Sequence, residues 1–270
     1  MIGTIKAEWR KNRLRPAFLI ALGLLVGLTV LAYSANWYVA THPGAGERAA
    51  TIASLYPDQF LKNVMGAGFP LGAALAIVLG AIVAGSEYTW STLKTMFTQR
   101  PGRTTTWIGR EVVFVAWLGV LTVVLFAVGA AYSAVIAAVY NHAMVWPAWV
   151  DIAKAFGAIW LIFAVNGAIG MALGVLIRQS AVALGVGIVY LLSVEIIAVR
   201  FIDNLSNGDY KWIGNLFVGQ NAGALIAQLN GVASAAHVTI SAGQAVLVMC
   251  AWLVGLLVVA AGLQRVRDVT

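Results

Sequence analysis

The passage GSEYTWSTLKTMFTQRPGRTTTWIGRE, residues 85–111, is the one long polar stretch of mixed charge between two strongly apolar runs. Those runs, residues 66–84 and 112–139, hold no charged side chain. Runs of about 20 apolar residues cross the hydrocarbon core of a bilayer, so the polar passage reads as the connection between two membrane spans. In its first half, Trp90, Leu93 and Phe97 fall at i, i+3 and i+7 with Met96 beside Phe97, while Lys94, Thr95 and Thr98 turn away. This is the spacing of a short amphipathic helix with one apolar stripe. Pro101 does not continue a helix and Gly102 accepts a left-handed turn, which predicts a chain reversal over Arg100–Arg103. Thr104 to Thr106 then offer caps for a helix beginning at Trp107. An ordinary polar loop with incidental periodicity fits the same residues.

Composition extends this reading to the whole chain of 270 residues. With 61% hydrophobic and 10% charged residues, and a mean hydropathy of +0.88, it is far more apolar than a soluble domain, about 25% of which is charged. The net charge of +7 would suggest nucleic acid in a soluble chain, but here the placement of the cations explains it without one. The single cysteine, Cys250, lies in an apolar run, so neither an intramolecular disulfide nor a thiolate metal cluster is available.

Lys6, Glu8, Arg10, Lys11, Arg13 and Arg15 precede the first apolar run in the manner of a signal peptide. That run extends from Ala17 to about Ala40, however, longer than a signal core, and is expected to be retained as a span. Ile2, Ile5 and Trp9 share one helical face with the cations elsewhere, the layout of an amphipathic helix lying flat on an anionic leaflet through Trp9, Arg10 and Arg13, with Pro16 ending it. Six spans follow, at Ala17–Val39, Gly66–Ala84, Val112–Val139, Ile152–Ile177, Ala181–Val199 and Ala242–Leu263. The third is longer than a bilayer needs, so it tilts or projects.

The expected fold is therefore all-α and integral to the membrane, a single domain over residues 1–270, with an interfacial helix at 1–16 and the polar loop at 85–111. A segment at 203–241 is too long to be structureless and is expected to form short outer helices before span six. Lys6, Arg10, Lys11, Arg13, Arg15, Lys94, Arg100, Arg103, Arg110, Arg178, Arg265 and Arg267 fall on the side of the termini. Only Arg48, Lys62, Lys154, Arg200 and Lys211 fall opposite. This bias puts both termini and the 85–111 loop in the cytoplasm.

Few residues offer chemistry. The chain has no Gly-x-x-x-x-Gly-Lys-Ser/Thr phosphate loop and no His-Glu-x-x-His helix. His42, His142 and His237 are scattered along the predicted outer side, reading as surface residues or as a metal or pH site. Glu195 is the one acid well inside an apolar run, with Arg200 and Asp203 following. Placing such a carboxylate near the bilayer centre costs on the order of 3 kcal/mol, so it faces a partner or a cavity, as a buried polar lock or as a substrate or proton site. Asn166, Gly167, Gly170 and Gly174 form a small-residue face for close helix packing or for substrate contact, with the Asn166 amide expected to bond between helices. Glu87, ahead of the Trp90 stripe, favours the N-terminus of the short helix or holds Arg100 or Arg103 across the turn.

On these residues the chain resembles the permease subunits of ABC-2 type exporters. Such permeases begin with a short basic amphipathic helix, as Lys6 to Pro16 does. They carry after span two a cytoplasmic loop like Gly85-Ser86-Glu87, Ser91-Thr92-Leu93 and Arg100-Pro101-Gly102-Arg103, although Ser91 stands where the family has glycine. The resemblance covers the whole chain in layout and is specific only in this loop. It implies that Gly85–Arg103 holds a coupling helix presenting Glu87, Trp90, Leu93, Lys94, Met96, Phe97, Arg100 and Arg103 to a separate ABC ATPase. That ATPase would bind ATP and Mg and carry out the hydrolysis, while this chain holds no cofactor and is not itself an enzyme. It further implies pairing with a second permease subunit, identical or different, in the plasma membrane, and export of a hydrophobic or amphipathic compound. Two other classes compete. An integral-membrane enzyme needs acids, bases and nucleophiles clustered at one depth, where the apolar runs offer only Glu195. A non-transporting assembly partner needs none of these.

Overall fold

The computed structural model describes residues 2–42, 52–89, 103–205, 210–230 and 240–266, and these are almost entirely helical with no strand among them. Helix α1 (Ile2–Leu14) is followed by α2 (Pro16–Thr41), α3 (Phe60–Thr89), α4 (Arg103–Val139) and α5 (Trp149–Ile177). After α6 (Ser180–Val189) comes a π-helical turn, Tyr190–Val194, continued by α7 (Glu195–Leu205). The chain then forms α8 (Lys211–Gly214), α9 (Val218–Leu229) and α10 (Ala242–Val266). Two 3-10 turns, Ile52–Leu55 and Pro57–Gln59, lead into α3.

Six helical stretches are long and apolar enough to cross a membrane: Pro16–Thr41, Phe69–Ser86, Thr105–Val139, Trp149–Ile177, Ser180–Ile202 and Ala242–Gln264. The chain thus has the architecture of a multi-pass membrane protein. Pro16 starts α2 at its first position, where a missing N–H costs nothing, and pushes Arg15 into an extended conformation (φ −76°, ψ 123°) that separates α1 from α2. Spans four and five are joined by Arg178 and Gln179 alone, with Arg178 in the left-handed region (φ 60°) closing α5.

The bundle is built around α3 and α5. In span four 72% of the most apolar window is buried within the chain, against 11% in span six and 22% in span five. Without water to drive association, spans attract through van der Waals contact and backbones approach where side chains are small. Gly170 of α5 lies so close to Ile77 of α3 that a Cβ there would overlap the Ile77 carbonyl. Phe163, fully buried, fills the space that a side chain at Gly72 would take. Trp160 donates its indole N–H to the Val115 carbonyl at 3.0 Å, fastening α5 to α4.

The structure corrects three local expectations. The polar passage 85–111 is shorter than the composition suggests, because α3 continues to Thr89 and α4 begins at Arg103, ahead of the threonines expected to cap it. Packing overrides the weak helix propensity there: Trp107 joins the core, and Gly109 receives Thr4 of α1. Span five is interrupted by the π turn. Span four starts at Trp149 rather than Ile152. The 37 residues of α4 rise about 55 Å, well beyond a ~30 Å hydrocarbon core. The segment between spans five and six does carry short helices, α8 and α9.

Candidate functional site

The residues of the apolar stripe, Trp90, Leu93, Met96 and Phe97, lie outside the described residues, as do Lys94 and Arg100. Glu87 and Arg103 sit at the end of α3 and the start of α4, with their side chains also outside the described set. What is described is the pair of helix ends that flank this segment in the chain, and beside them an element whose packing the sequence did not suggest. Helix α1 is docked on the first turns of α4 as well as presenting a basic face. Thr4, Glu8 and Asn12, at i, i+4 and i+8, form its inner face, with Glu8 and Asn12 buried and Thr4 half-buried against Gly109. Trp9 stacks on Trp117 of α4 at 5.0 Å between ring centroids, and Phe18 of α2 tilts onto the same indole at 5.3 Å. Arg10 and Arg13 remain exposed with Lys6, so the cationic face expected for a membrane surface is free while the opposite face is engaged.

Charge is concentrated at this end. Glu8 pairs with Lys11 at 3.5 Å, and the buried Arg110 and Glu111 side chains approach to 3.9 Å. Within a low-dielectric bundle such groups are costly unless paired, and these lie where α1 packs on the start of α4. Neither Glu8 nor Asn12 is suggested by periodicity, because a helix read as amphipathic assigns them to its polar face.

Glu195 is 5% exposed. Its Oε1 accepts the backbone N–H groups of Gly219 and, at 3.3 Å, Gln220, in the first turn of α9. The carboxylate thus ties span five to the start of α9, the geometry that a buried polar lock requires. Arg200 is exposed and is not brought to Glu195. A separation of five residues turns a side chain by about 140° around an α-helix, so the two leave opposite sides of α7. The Asp203 side chain is outside the described residues. The partners of Glu195 are backbone groups 24 and 25 residues away, and no motif announces them.

Asn166 is 1% exposed and donates to the Ile162 carbonyl of its own helix at 2.9 Å, a correction to the expected interhelical bond. The backbones of α3 and α5 approach too closely at the neighbouring glycines for an amide to bridge them. The face 166–174 is thus a packing surface. Several other polar groups in the spans are satisfied locally or pairwise. Thr29 and Thr122 donate to carbonyls one turn back at 2.7 and 3.0 Å, and Ser34 meets Tyr132 at 3.0 Å.

His42 stacks on Tyr38 and His142 on Tyr56, with ring centroids 4.2 and 3.8 Å apart. No group of three or more metal-ligating side chains occurs among the described residues. An apolar groove of about 470 Å³ runs along α10, lined by Leu216, Val248, Ala251, Trp252, Gly255 and Val259 among others. The Trp252 indole N–H in its wall is engaged by the Leu216 carbonyl at 2.8 Å.

Compared with known proteins, the chain matches no family model and no curated protein.

Proposed function

We propose that this chain is the membrane-spanning permease subunit of an ATP-driven exporter of the ABC-2 type. It sits in the plasma membrane with both termini cytoplasmic and is energised by a separate ABC ATPase that docks on residues 85–103. A second permease subunit, identical or different, completes the pathway. α1 is the interfacial helix, its Lys6, Arg10 and Arg13 facing lipid headgroups, and α8 and α9 are the outer helices. The exported compound is hydrophobic or amphipathic, in keeping with an interior that is mostly apolar. ATP and Mg belong to the partner.

One observation carries the reading. The segment 90–102, which carries the apolar stripe, connects the end of α3 to the start of α4 in the chain, and α1 is docked on that start of α4. A force applied to the segment is therefore delivered at once to span two, span three and the surface helix. A short apolar stripe fits a cleft on a partner in the helix-in-groove manner, and the flanking Lys94, Arg100 and Arg103 orient it. The lack of a phosphate loop in this chain requires the energy to come from another one.

The test is co-purification from native membranes. An ABC ATPase should accompany the tagged chain, and the Trp90→Ala/Phe97→Ala double variant should lose both the association and the ATP turnover of the complex while retaining membrane insertion. An unchanged association in that variant removes the docking assignment. Absence of any ATPase from the parent complex removes the exporter reading.

A further inference from the structure

We infer that Glu195 is the N-terminal cap of α9, supplied by a different span, and that this cap ties the second half of span five to the rest of the bundle. Helix α9 begins at Val218 after Phe217, which stands at the N-cap position and makes no side-chain cap bond. A Ser, Thr, Asp or Asn at that position would satisfy the N–H groups of the second and third helical residues. In α9 those residues are Gly219 and Gln220, and both N–H groups donate to Glu195 Oε1. The carboxylate also meets the positive end of the α9 dipole. Glu195 is buried, so bulk water does not replace a missing partner and the bond matters more than an exposed cap would.

Three further features are built around this contact. A Cβ at Gly219 would stand 2.8 Å from Oε1, so a residue without a side chain is needed for the carboxylate to reach the backbone. The π turn Tyr190–Val194 immediately precedes Glu195. Its i, i+5 spacing joins the Glu195 backbone N–H to the Tyr190 carbonyl. The end of α9 and the turn before it are held in the complementary sense, by side-chain donors on carbonyls. Gln228 donates to Ile240, Asn221 to Asn215 at 2.8 Å and Phe217 at 2.7 Å, and Trp252 of α10 to Leu216 at 2.8 Å.

What the cap connects follows from the packing. Helix α7 packs chiefly on the π turn and on α8, whereas α9 packs on α10, α5 and α3. Val218, Ala222, Ala224 and Leu225 are buried in that second contact. Glu195 thus joins the least covered part of span five to the helices at the centre of the molecule.

The inference goes beyond the transport reading and does not depend on it, because it is tested on the resting chain. In a Cys250→Ala background, a cysteine is placed at Ala222 of α9 or, as a control, at Ala183 of α6, both 0% exposed. Labelling by N-ethylmaleimide is then followed in nanodiscs. Glu195→Ala should accelerate labelling at position 222 by roughly 5–30-fold, the effect of losing a buried charged cap, and leave position 183 unchanged. Glu195→Gln, with one acceptor and no charge, should fall between. Phe217→Asp supplies a local cap, so the acceleration caused by Glu195→Ala should shrink towards unity in that background. Unchanged labelling at 222, equal acceleration at 183, or the same acceleration with and without Phe217→Asp would each overturn the inference.

Discussion

Gly170 and Gly157 stand on the same helix and differ only in what surrounds them. A Cβ at Gly170 would overlap the backbone of Ile77, whereas one at Gly157 meets nothing within 4 Å. Overpacking a close contact costs about 1–3 kcal/mol, while replacing glycine at an open helical position gains roughly 0.5–1 kcal/mol. Gly170→Ala should therefore lower the thermal midpoint of the purified chain and Gly157→Ala should leave it equal or higher. A midpoint unaffected by Gly170→Ala would show that α3 and α5 are not in backbone contact. The opposition of sign is the informative result, since general loss of helix packing moves both variants down.

At the level of elements, the decisive contact is that of α1 with α4. A helix resting freely on a leaflet and a helix fastened to span three present the same basic residues, but only the second fixes Thr4 beside Gly109. The Cβ of Thr4 lies 3.4 Å from where a Cβ of residue 109 would be, close to the ~3.8 Å typical of a disulfide. In a Cys250→Ala background, Thr4→Cys/Gly109→Cys should cross-link on mild oxidation. With a protease site inserted in residues 43–51, the two fragments should stay joined on a non-reducing gel and separate after reduction. Fragments that separate without reductant would return α1 to the free-lying helix that amphipathic spacing alone suggests. Periodicity identified α1 and its end at Pro16, but the burial of Glu8 and Asn12 depends on a surface contributed by α4 about a hundred residues later, to which a local pattern is blind.

For the whole molecule, the proposed function requires that the six helices long and apolar enough to cross a membrane all do so, with both ends of the chain on the cytoplasmic side, as the distribution of Lys and Arg predicts. Single cysteines at Leu14 and Gln179 should be shielded from an impermeant maleimide added to intact cells and become reactive in inverted vesicles. Cysteines at His42 and Met144 should show the reverse. A shared response of all four positions would reduce the number of crossings, and an exchanged response would invert the orientation while leaving the bundle intact.

The sequence by itself determined the number of helices long and apolar enough to be spans, the existence of a helix ahead of the first, a connection between the second and third, and the presence of short helices before the sixth. Each follows from a local quantity: apolar run length, proline position, or charge density. The small-residue face at 166–174 was legible for the same reason, since glycine spacing announces a close approach whatever the neighbour. Only the tertiary structure decided which helices meet. It brought α3 and α5 together at the centre, turned the Asn166 amide back onto its own helix, and docked α1 on α4. It also gave the lone acid of span five a pair of backbone donors in α9. The physical reason is that a membrane span is apolar on every face, so hydropathy shows that it is buried in something without showing in what. Partner choice is then made by shape and by the few polar groups that must be satisfied in the absence of water.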